Sequence, residues 1–302
     1  MTAYTQASSN RLKTWLIMFL FSLFVLGVVY VFARAFGFTG PSSLGFVGMA
    51  LIFTGLMNFF SYFYSDKIVM TISRAKQIQK KDNPTLFRTV ENLSIASGLP
   101  MPKVYVIDDS APNAFATGRN PKHAAIAFTT GILDKLDKLE LEGVAAHELS
   151  HVGNRDTLVL TVVSVLVGTV ALLADWYLRS LWFSGRDNDS DNKGNAIFMV
   201  LALVFAILAP IIGTLIQLAV SRKREFLADA SGALITRNPD SLADALMKIS
   251  KDQEPLEVAN RATEPLYIVN PFKGKQLKMA FANLFNTHPS IEERVKALRA
   301  MQ

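Results

Sequence analysis

Four long runs of apolar residues divide the chain. Each has about the 20 residues that a helix needs to cross a bilayer core, and a helix satisfies its own backbone hydrogen bonds in lipid. The pattern therefore predicts four transmembrane helices. Asp175 and Pro210 interrupt the last two runs, so that hairpin either spans fully or is partly embedded. The approximate bounds of the runs are 15–33, 46–64, 158–182 and 196–220.

Shorter periodic segments predict an α+β domain outside the membrane. Leu86, Val90 and Leu93 have helical spacing, and Gly98 follows as a stop signal. The stretches "KVYVIDD" and "AAIAFTTG" alternate like strands and are joined through "SAPNAFATG". Further helices are expected over 137–152, in "SLADALMKIS" and in "SIEERVKALRA", whose Ser290 and Glu293 fit a capping box.

The predicted protein is therefore mainly helical, with a small β-sheet in a domain that is assembled from two pieces. We expect a cytoplasmic N-terminus, a first membrane hairpin, the first domain piece, a second membrane hairpin and the second domain piece. In the same order, the bounds are 1–14, 15–65, 66–157, 158–220 and 221–302.

The distribution of basic residues predicts the orientation. Of 31 lysines and arginines, 27 lie on one side of the four predicted spans, and positively charged loops remain in the cytoplasm. Both domain pieces and both termini are therefore expected to be cytoplasmic. The first run is too long for a cleaved signal, so it predicts an uncleaved anchor. The sequence pI of about 9.4 fits contact with anionic lipid, and no nucleic-acid-binding module is found.

The chemistry concentrates in "HELSH", residues 147–151. The chain has no cysteine, so a metal would be held by histidine, carboxylate or water. His147 and His151 are four residues apart and project from one helix face. Glu148 is rotated by about 100° and can hold a water molecule beside the metal. This spacing predicts a zinc hydrolase site with one zinc per chain.

The spacing of the histidines does not identify the third protein ligand. The longer metzincin pattern, which adds a third histidine soon after the second, is not continued after His151. Asp156, Asp229 and His288 are possible ligands. Glu225 is favoured because two membrane crossings return the chain to the side of the histidines. Glu225 and Asp229 are also four residues apart, so one could bind metal while the other orients a histidine.

A family resemblance follows from motifs in order along the chain. "NAFATG", "HELSH", "REFLADA" and "THPSIEERV", together with four apolar runs, resemble the HtpX/Ste24 family of membrane zinc metalloproteases. The resemblance covers nearly the whole chain. It implies a zincin-like endopeptidase of the bacterial inner membrane, which degrades misfolded or damaged membrane proteins in quality control and stress response. Its oligomeric state does not follow from the sequence.

The resemblance also implies roles for individual residues. Matching positions make His147, His151 and Glu225 the zinc ligands, Glu148 the general base, and Asp229 the partner that orients a ligand histidine. His288 would lie near the zinc and donate to the oxyanion. An extended substrate would pair with an edge strand that includes Asn113, Ala114, Phe115 and Ala116.

Three other functions are compatible with some of these residues. Ste24-like processing of prenylated peptides shares the motifs, but such enzymes are longer and have more spans. An intramembrane protease is disfavoured because the charged stretch "DKLDKLELEG" precedes the histidines. A non-enzymatic metal-binding scaffold would not need Glu148, which is present.

Overall fold

The computed structural model of the chain describes most of the residues outside the second hairpin. The third apolar run beyond residue 168, the fourth run except Val204, and His288 lie outside the described residues. The described residues are 3–35, 41–168, 204, 222–259, 263–272 and 289–301.

Helices dominate the described part, as the sequence predicts. In chain order they are α1 (Ala3–Ala35), α2 (Pro41–Phe63), α3 (Ser65–Ile72), α4 (Pro84–Ser97), α5 (Thr130–Lys135), α6 (Lys138–Asn154), α7 (Asp156–Gly168), α8 (Arg222–Thr236), α9 (Pro239–Lys251) and α10 (Ile291–Arg299). Short 3₁₀ turns occur at Pro121–His123 and Glu264–Leu266.

One helix in the described part is long and apolar enough to cross a membrane. The stretch is Ser9–Gly27 of α1, while Gly48–Phe63 and Asp156–Gly168 are apolar but shorter. Large apolar side chains such as Leu12 and Phe19 are exposed on α1. The structure thus supports a single span, and the other three stay a prediction.

A small mixed sheet accompanies the helices. Its strands are β1 (Lys76–Gln77), β2 (Lys103–Ile107), β3 (Ala114–Gly118) and β4 (Ala124–Thr129). They are ordered β1-β2-β4-β3, with β2 and β4 parallel and the other two pairs antiparallel. The two expected strands are confirmed as β2 and β4. Their connection contains a third strand, β3, which lies at an edge of this sheet.

Local capping signals fix the helix ends that the sequence predicts. The Asn83 side chain accepts a hydrogen bond from the Leu86 N–H at the start of α4, and Gly98 ends that helix with φ of 68°. Asp137 and Glu140 form a capping box on α6. The expected capping box of Ser290 is present on α10.

Helix α6 is the central element of the part outside the apolar helices. It contacts β3 and α4, and it also contacts α8 and α9 from the C-terminal half. The contact with α9 is close, because a Cβ on Gly143 would lie 2.7 Å from the Leu242 backbone nitrogen. A Cβ on Gly232 of α8 would lie 3.0 Å from the His147 nitrogen. Glycine thus lets the later helices approach the histidine-bearing helix.

Candidate metal centre

The helix α6 carries His147, Glu148 and His151 into the interior. Their exposed fractions are 1%, 2% and 7%. Since the histidines are one turn apart, their Nε2 atoms lie 3.1 Å from each other. The helix ends immediately afterwards, where Arg155 adopts the left-handed conformation with φ of 58°.

Glu225 of α8 completes a set of three possible ligands. Its Oε1 is 3.4 Å from His151 Nε2, and its Oε2 is 3.9 Å from His147 Nε2. One ligand atom from each residue lies within 4.8 Å of the others. The favoured residue for the third position is therefore brought to the histidines by the packing of α8 on α6.

The donor set fits a tetrahedral zinc ion. Ligand atoms roughly 2.0–2.2 Å from such an ion are about 3.3–3.6 Å from one another. The observed separations of 3.1 and 3.4 Å are close to that range, and 3.9 Å is slightly longer. Two imidazoles and one carboxylate are also a common donor set of catalytic zinc sites.

Two carboxylates bind the outer nitrogens of the histidine rings. Asp229 Oδ1 lies 2.9 Å from His147 Nδ1, and Asp156 Oδ2 lies 3.1 Å from His151 Nδ1. Both acids are fully buried. Hydrogen bonds of this type fix the ring orientation and direct Nε2 toward a metal. Asp156, one of the alternative ligands, thus occupies an orienting position in this structure, as does Asp229.

The apolar helix α1 contributes a residue that binds Asp156, the acid that orients His151. Asn10 is fully buried, and its Nδ2 donates to Asp156 Oδ1 at 2.8 Å and to the Asn154 carbonyl at 3.0 Å. A chain of hydrogen bonds therefore runs from α1 through Asp156 to His151. Asn10 is not among the residues predicted from the sequence, since its only local signal is a polar residue near the start of an apolar run.

Arg294 is a second residue of the centre that the sequence did not predict. Its guanidinium is fully buried and donates to both carboxylate oxygens of Asp229, at 2.9 Å from Nε and 2.7 Å from Nη2. Its Nη1 donates to the Ile268 carbonyl at 3.1 Å. Its position in the sequence indicates burial, because Arg294 lies on the apolar face of α10 that Ile291 and Leu298 define. A charged residue on such a face needs a buried partner.

The acids around His151 favour a positive charge at that ring, whereas burial lowers the pKa of His147. Burial lowers the pKa of His151, but the Asp156 hydrogen bond and the nearby Glu225 raise it overall to about 9. For Asp229, burial raises the pKa while Arg294 and His147 lower it, to about 2 overall. The same field that favours a proton on His151 favours a bound cation.

Glu148 has a different environment from the other acids. Burial raises its pKa, and Glu225 adds to this effect, while His151 and the N–H of Ala116 lower it; the result is about 7. A carboxylate with a pKa in this range can both accept and return a proton near neutral pH. The position of Glu148 beside β3 therefore suits an acid–base group.

A small cavity of about 10 Å³ lies between these groups. The segment Pro265–Ile268 lines it opposite His147 and Glu148. We name this segment, extended to Val269, the covering segment. The Ile268 N–H donates to the Ala114 carbonyl at 3.0 Å, and Asn113 Nδ2 donates to the Val269 carbonyl at 3.0 Å.

The four residues expected to bind substrate, 113–116, lie beside the centre and are buried. Two of them, Asn113 and Ala114, pair with the covering segment in this structure. The backbone N–H and C=O groups of successive strand residues alternate between the two edges of the strand. Those of Ala114 and Ala116 therefore both point to the outer edge of β3, away from β4. That edge thus borders the cavity.

The sequence matches a known family over most of its length. The model of Peptidase family M48 matches residues 80–302. The chain belongs to peptidase family M48. Related M48 proteins that span nearly the whole chain are described as "Protease HtpX homolog". One from Dictyoglomus thermophilum is 45% identical over 99% of this chain and 95% of its own length.

Two further M48 relatives carry the same description. The protein from Tropheryma whipplei is 45% identical, over 99% of this chain and 98% of its own. The one from Pyrococcus furiosus is 47% identical, over 83% and 86%. A crystal structure of S. mikatae Ste24p aligns with a TM-score of 0.49 and 17% identity, over 95% of this chain and 67% of that one; the likeness is too distant to add to the assignment.

Membership of this family confirms the enzyme class. The chain is a membrane metalloprotease similar to HtpX, and the buried cluster of His147, His151 and Glu225 could hold its metal. The expected fold, mainly helical with a small sheet, is confirmed as well.

Proposed function

We propose that this chain is a zinc-dependent endopeptidase of the bacterial inner membrane, which binds one zinc through His147, His151 and Glu225. The observation that carries the proposal is the convergence of three buried ligand atoms from two helices. Each ligand histidine is oriented by a buried carboxylate, Asp229 for His147 and Asp156 for His151. A site that is held in this way binds metal with little rearrangement.

The chemistry divides between the ion and the protein. Bound zinc supplies a Lewis acid that lowers the pKa of water and polarises a carbonyl. Glu148 accepts a proton from the attacking water and returns it to the leaving amine. Burial keeps Glu148 within the pKa range for both transfers. His288, which lies outside the described residues, stays a predicted oxyanion donor.

The substrate is proposed to pair with the outer edge of β3. An extended polypeptide there would use backbone hydrogen bonds, which tolerate many sequences. The covering segment holds the Ala114 carbonyl in this structure, so it would have to move before a substrate binds. Broad tolerance suits an enzyme that removes misfolded polypeptides.

The location near the membrane is proposed from α1. Asn10, at the start of the Ser9–Gly27 stretch, contacts Asp156 directly. The metal centre would therefore lie close to the end of a membrane helix, where membrane-protein substrates emerge from the bilayer. Four spans with both termini in the cytoplasm fit the distribution of basic residues.

The function is tested with the variant Glu148→Gln. Gln keeps the size of the side chain but cannot accept the proton, so we expect zinc retention and a loss of proteolysis of about 10²- to 10⁴-fold. The readouts are zinc content and cleavage of an unfolded protein by the detergent-purified enzyme. Glu142→Gln, a half-exposed position on the same helix, is the matched control.

Full cleavage by Glu148→Gln would refute the proposed mechanism. In parallel, Glu225→Ala should lower zinc stoichiometry, because the donor set loses its carboxylate. Unchanged zinc binding in that variant would move the third ligand to another residue.

A further inference from the structure

A cleft with two arginines lies outside the metal centre. It has a volume of about 350 Å³, and Arg11 and Trp15 of α1, Tyr62 of α2 and Arg155 at the corner between α6 and α7 line it. We name it the arginine cleft. Its volume is within the range of small-molecule sites, about 300–1,000 Å³.

The two guanidinium groups lack a countercharge in the part of the chain that the structure describes. No carboxylate lies within 4.0 Å of Arg11 or Arg155 there. Burial lowers the pKa of Arg155, and the charge of Arg11 lowers it further. Two like charges that share a cleft repel each other, and a bound anion would relieve that repulsion.

The backbone holds Arg155 in place for such a role. Its left-handed conformation closes α6, and its N–H donates to the carbonyls of His151 and Val152. The backbone of Arg155 is therefore held by hydrogen bonds at this corner. On the other wall, Arg11 directly follows the buried Asn10, which is bonded to that corner.

Aromatic side chains place the cleft at the level of lipid headgroups. Trp15 is 60% exposed and stacks on Tyr62, with ring centroids 5.9 Å apart. Nearby, Arg119 lies 5.0 Å from the ring centre of Phe63. Tryptophan and tyrosine concentrate where a membrane meets water, and basic residues accompany them on the cytoplasmic side.

The apolar surface beside the cleft continues along α1. Leu12, Leu16 and Phe19 are large, exposed side chains on this helix. A ligand with an anionic head and hydrocarbon tails would match both the arginines and this surface. A soluble anion would match only the arginines.

We propose that the arginine cleft binds the phosphate of an anionic phospholipid. Guanidinium groups form paired hydrogen bonds with phosphate oxygens, and the acyl chains would lie against the exposed face of α1. The proposal rests on the membrane location given above. It does not depend on the proteolytic mechanism.

Native mass spectrometry of the full chain in detergent tests the proposal. The background variant is Glu148→Gln, so that lipid binding is measured without proteolysis. We expect one phosphatidylglycerol to be retained in preference to phosphatidylcholine. Each basic side chain near an anionic lipid strengthens binding roughly fivefold, so Arg11→Gln/Arg155→Gln should weaken it about 30-fold.

Two further double variants separate charge from folding. Arg88→Gln/Arg237→Gln removes the same charge from two exposed positions outside the cleft, and it should bind like the background. Arg11→Lys/Arg155→Lys keeps the charge and should retain most of the binding.

Specific outcomes would overturn the lipid assignment. Equal retention of both lipids, or equal binding by the Gln pair and the background, would refute it. Inorganic phosphate is added as a separate probe. If it displaces phosphatidylglycerol at equal concentration, the cleft is a site for free phosphate.

Discussion

The buried pair of Arg294 and Asp229 allows a quantitative test of how the metal centre is supported. Both side chains have an exposed fraction of 0%, and two charge-assisted hydrogen bonds of 2.7 and 2.9 Å join them. Arg294→Met would leave Asp229 charged in the interior, with His147 as its remaining partner among the described residues. Removal of one member of a buried ion pair costs about 3–5 kcal/mol.

The coupling between the two residues is the decisive quantity. Asp229→Asn alone would leave the Arg294 charge buried, with Glu225 Oε2 3.6 Å from its Nη1. In the double variant neither charge remains. We therefore expect its cost to be at least about 2 kcal/mol smaller than the sum of the two single costs.

Hydrogen–deuterium exchange in detergent provides the measurement. Peptides from α8 and α10 report the opening free energy of the region that contains the pair. All variants carry Glu148→Gln to prevent self-cleavage, and a chelator removes the contribution of metal binding to stability. If the two single effects add within about 0.5 kcal/mol, the proposed coupling is wrong.

Two other predictions concern the supports of α6. Asn10→Ala removes the hydrogen bonds to Asp156 and to the Asn154 carbonyl. Zinc affinity, measured by chelator competition, should fall about 10-fold, since outer partners of ligand histidines typically contribute 10- to 100-fold. Gly143→Ala would place a Cβ 2.7 Å from the Leu242 nitrogen. Its melting temperature should be roughly 2–10 °C below that of Gly153→Ala, because overpacking costs about 1–3 kcal/mol.

Each of these predictions has a matched control. Asn58→Ala removes a hydrogen bond to Ser22 Oγ between α1 and α2, and it should leave zinc affinity unchanged. An equal loss in both asparagine variants would mean that Asn10 acts through general stability. Gly153 lies on the same helix as Gly143, but its nearest contact is Leu99 Cδ1 at 3.4 Å. Equal melting temperatures would contradict the close packing of α9 on α6.

Local features of the centre follow from the sequence. The four-residue spacing of His147 and His151 places both rings on one helix face regardless of the surrounding fold. Capping residues such as Asp137 likewise act within a few positions of the chain. The strands β2 and β4 were predictable, because alternation and β-branched residues mark them.

The connection between those strands was less predictable. "SAPNAFATG" has small residues and no alternation, so the residue pattern alone predicts only a connection between the two strands. It became an edge strand through its pairing with β4. Its contact with the covering segment depends on residues about 150 positions later, and no local pattern reports such a pairing.

The sequence by itself determined that this chain carries a histidine pair with an adjacent glutamate and at least one long apolar helix. Only the tertiary structure decided how the acids divide their positions: Glu225 faces Nε2 of both rings, whereas Asp229 and Asp156 bind Nδ1. The reason is physical. Helix geometry fixes neighbours three or four residues apart, but a distance across 74 positions depends on how α8 packs on α6. Gly232 allows the close approach of α8 to α6, and Arg294 of α10 binds Asp229 of α8 in the same interior.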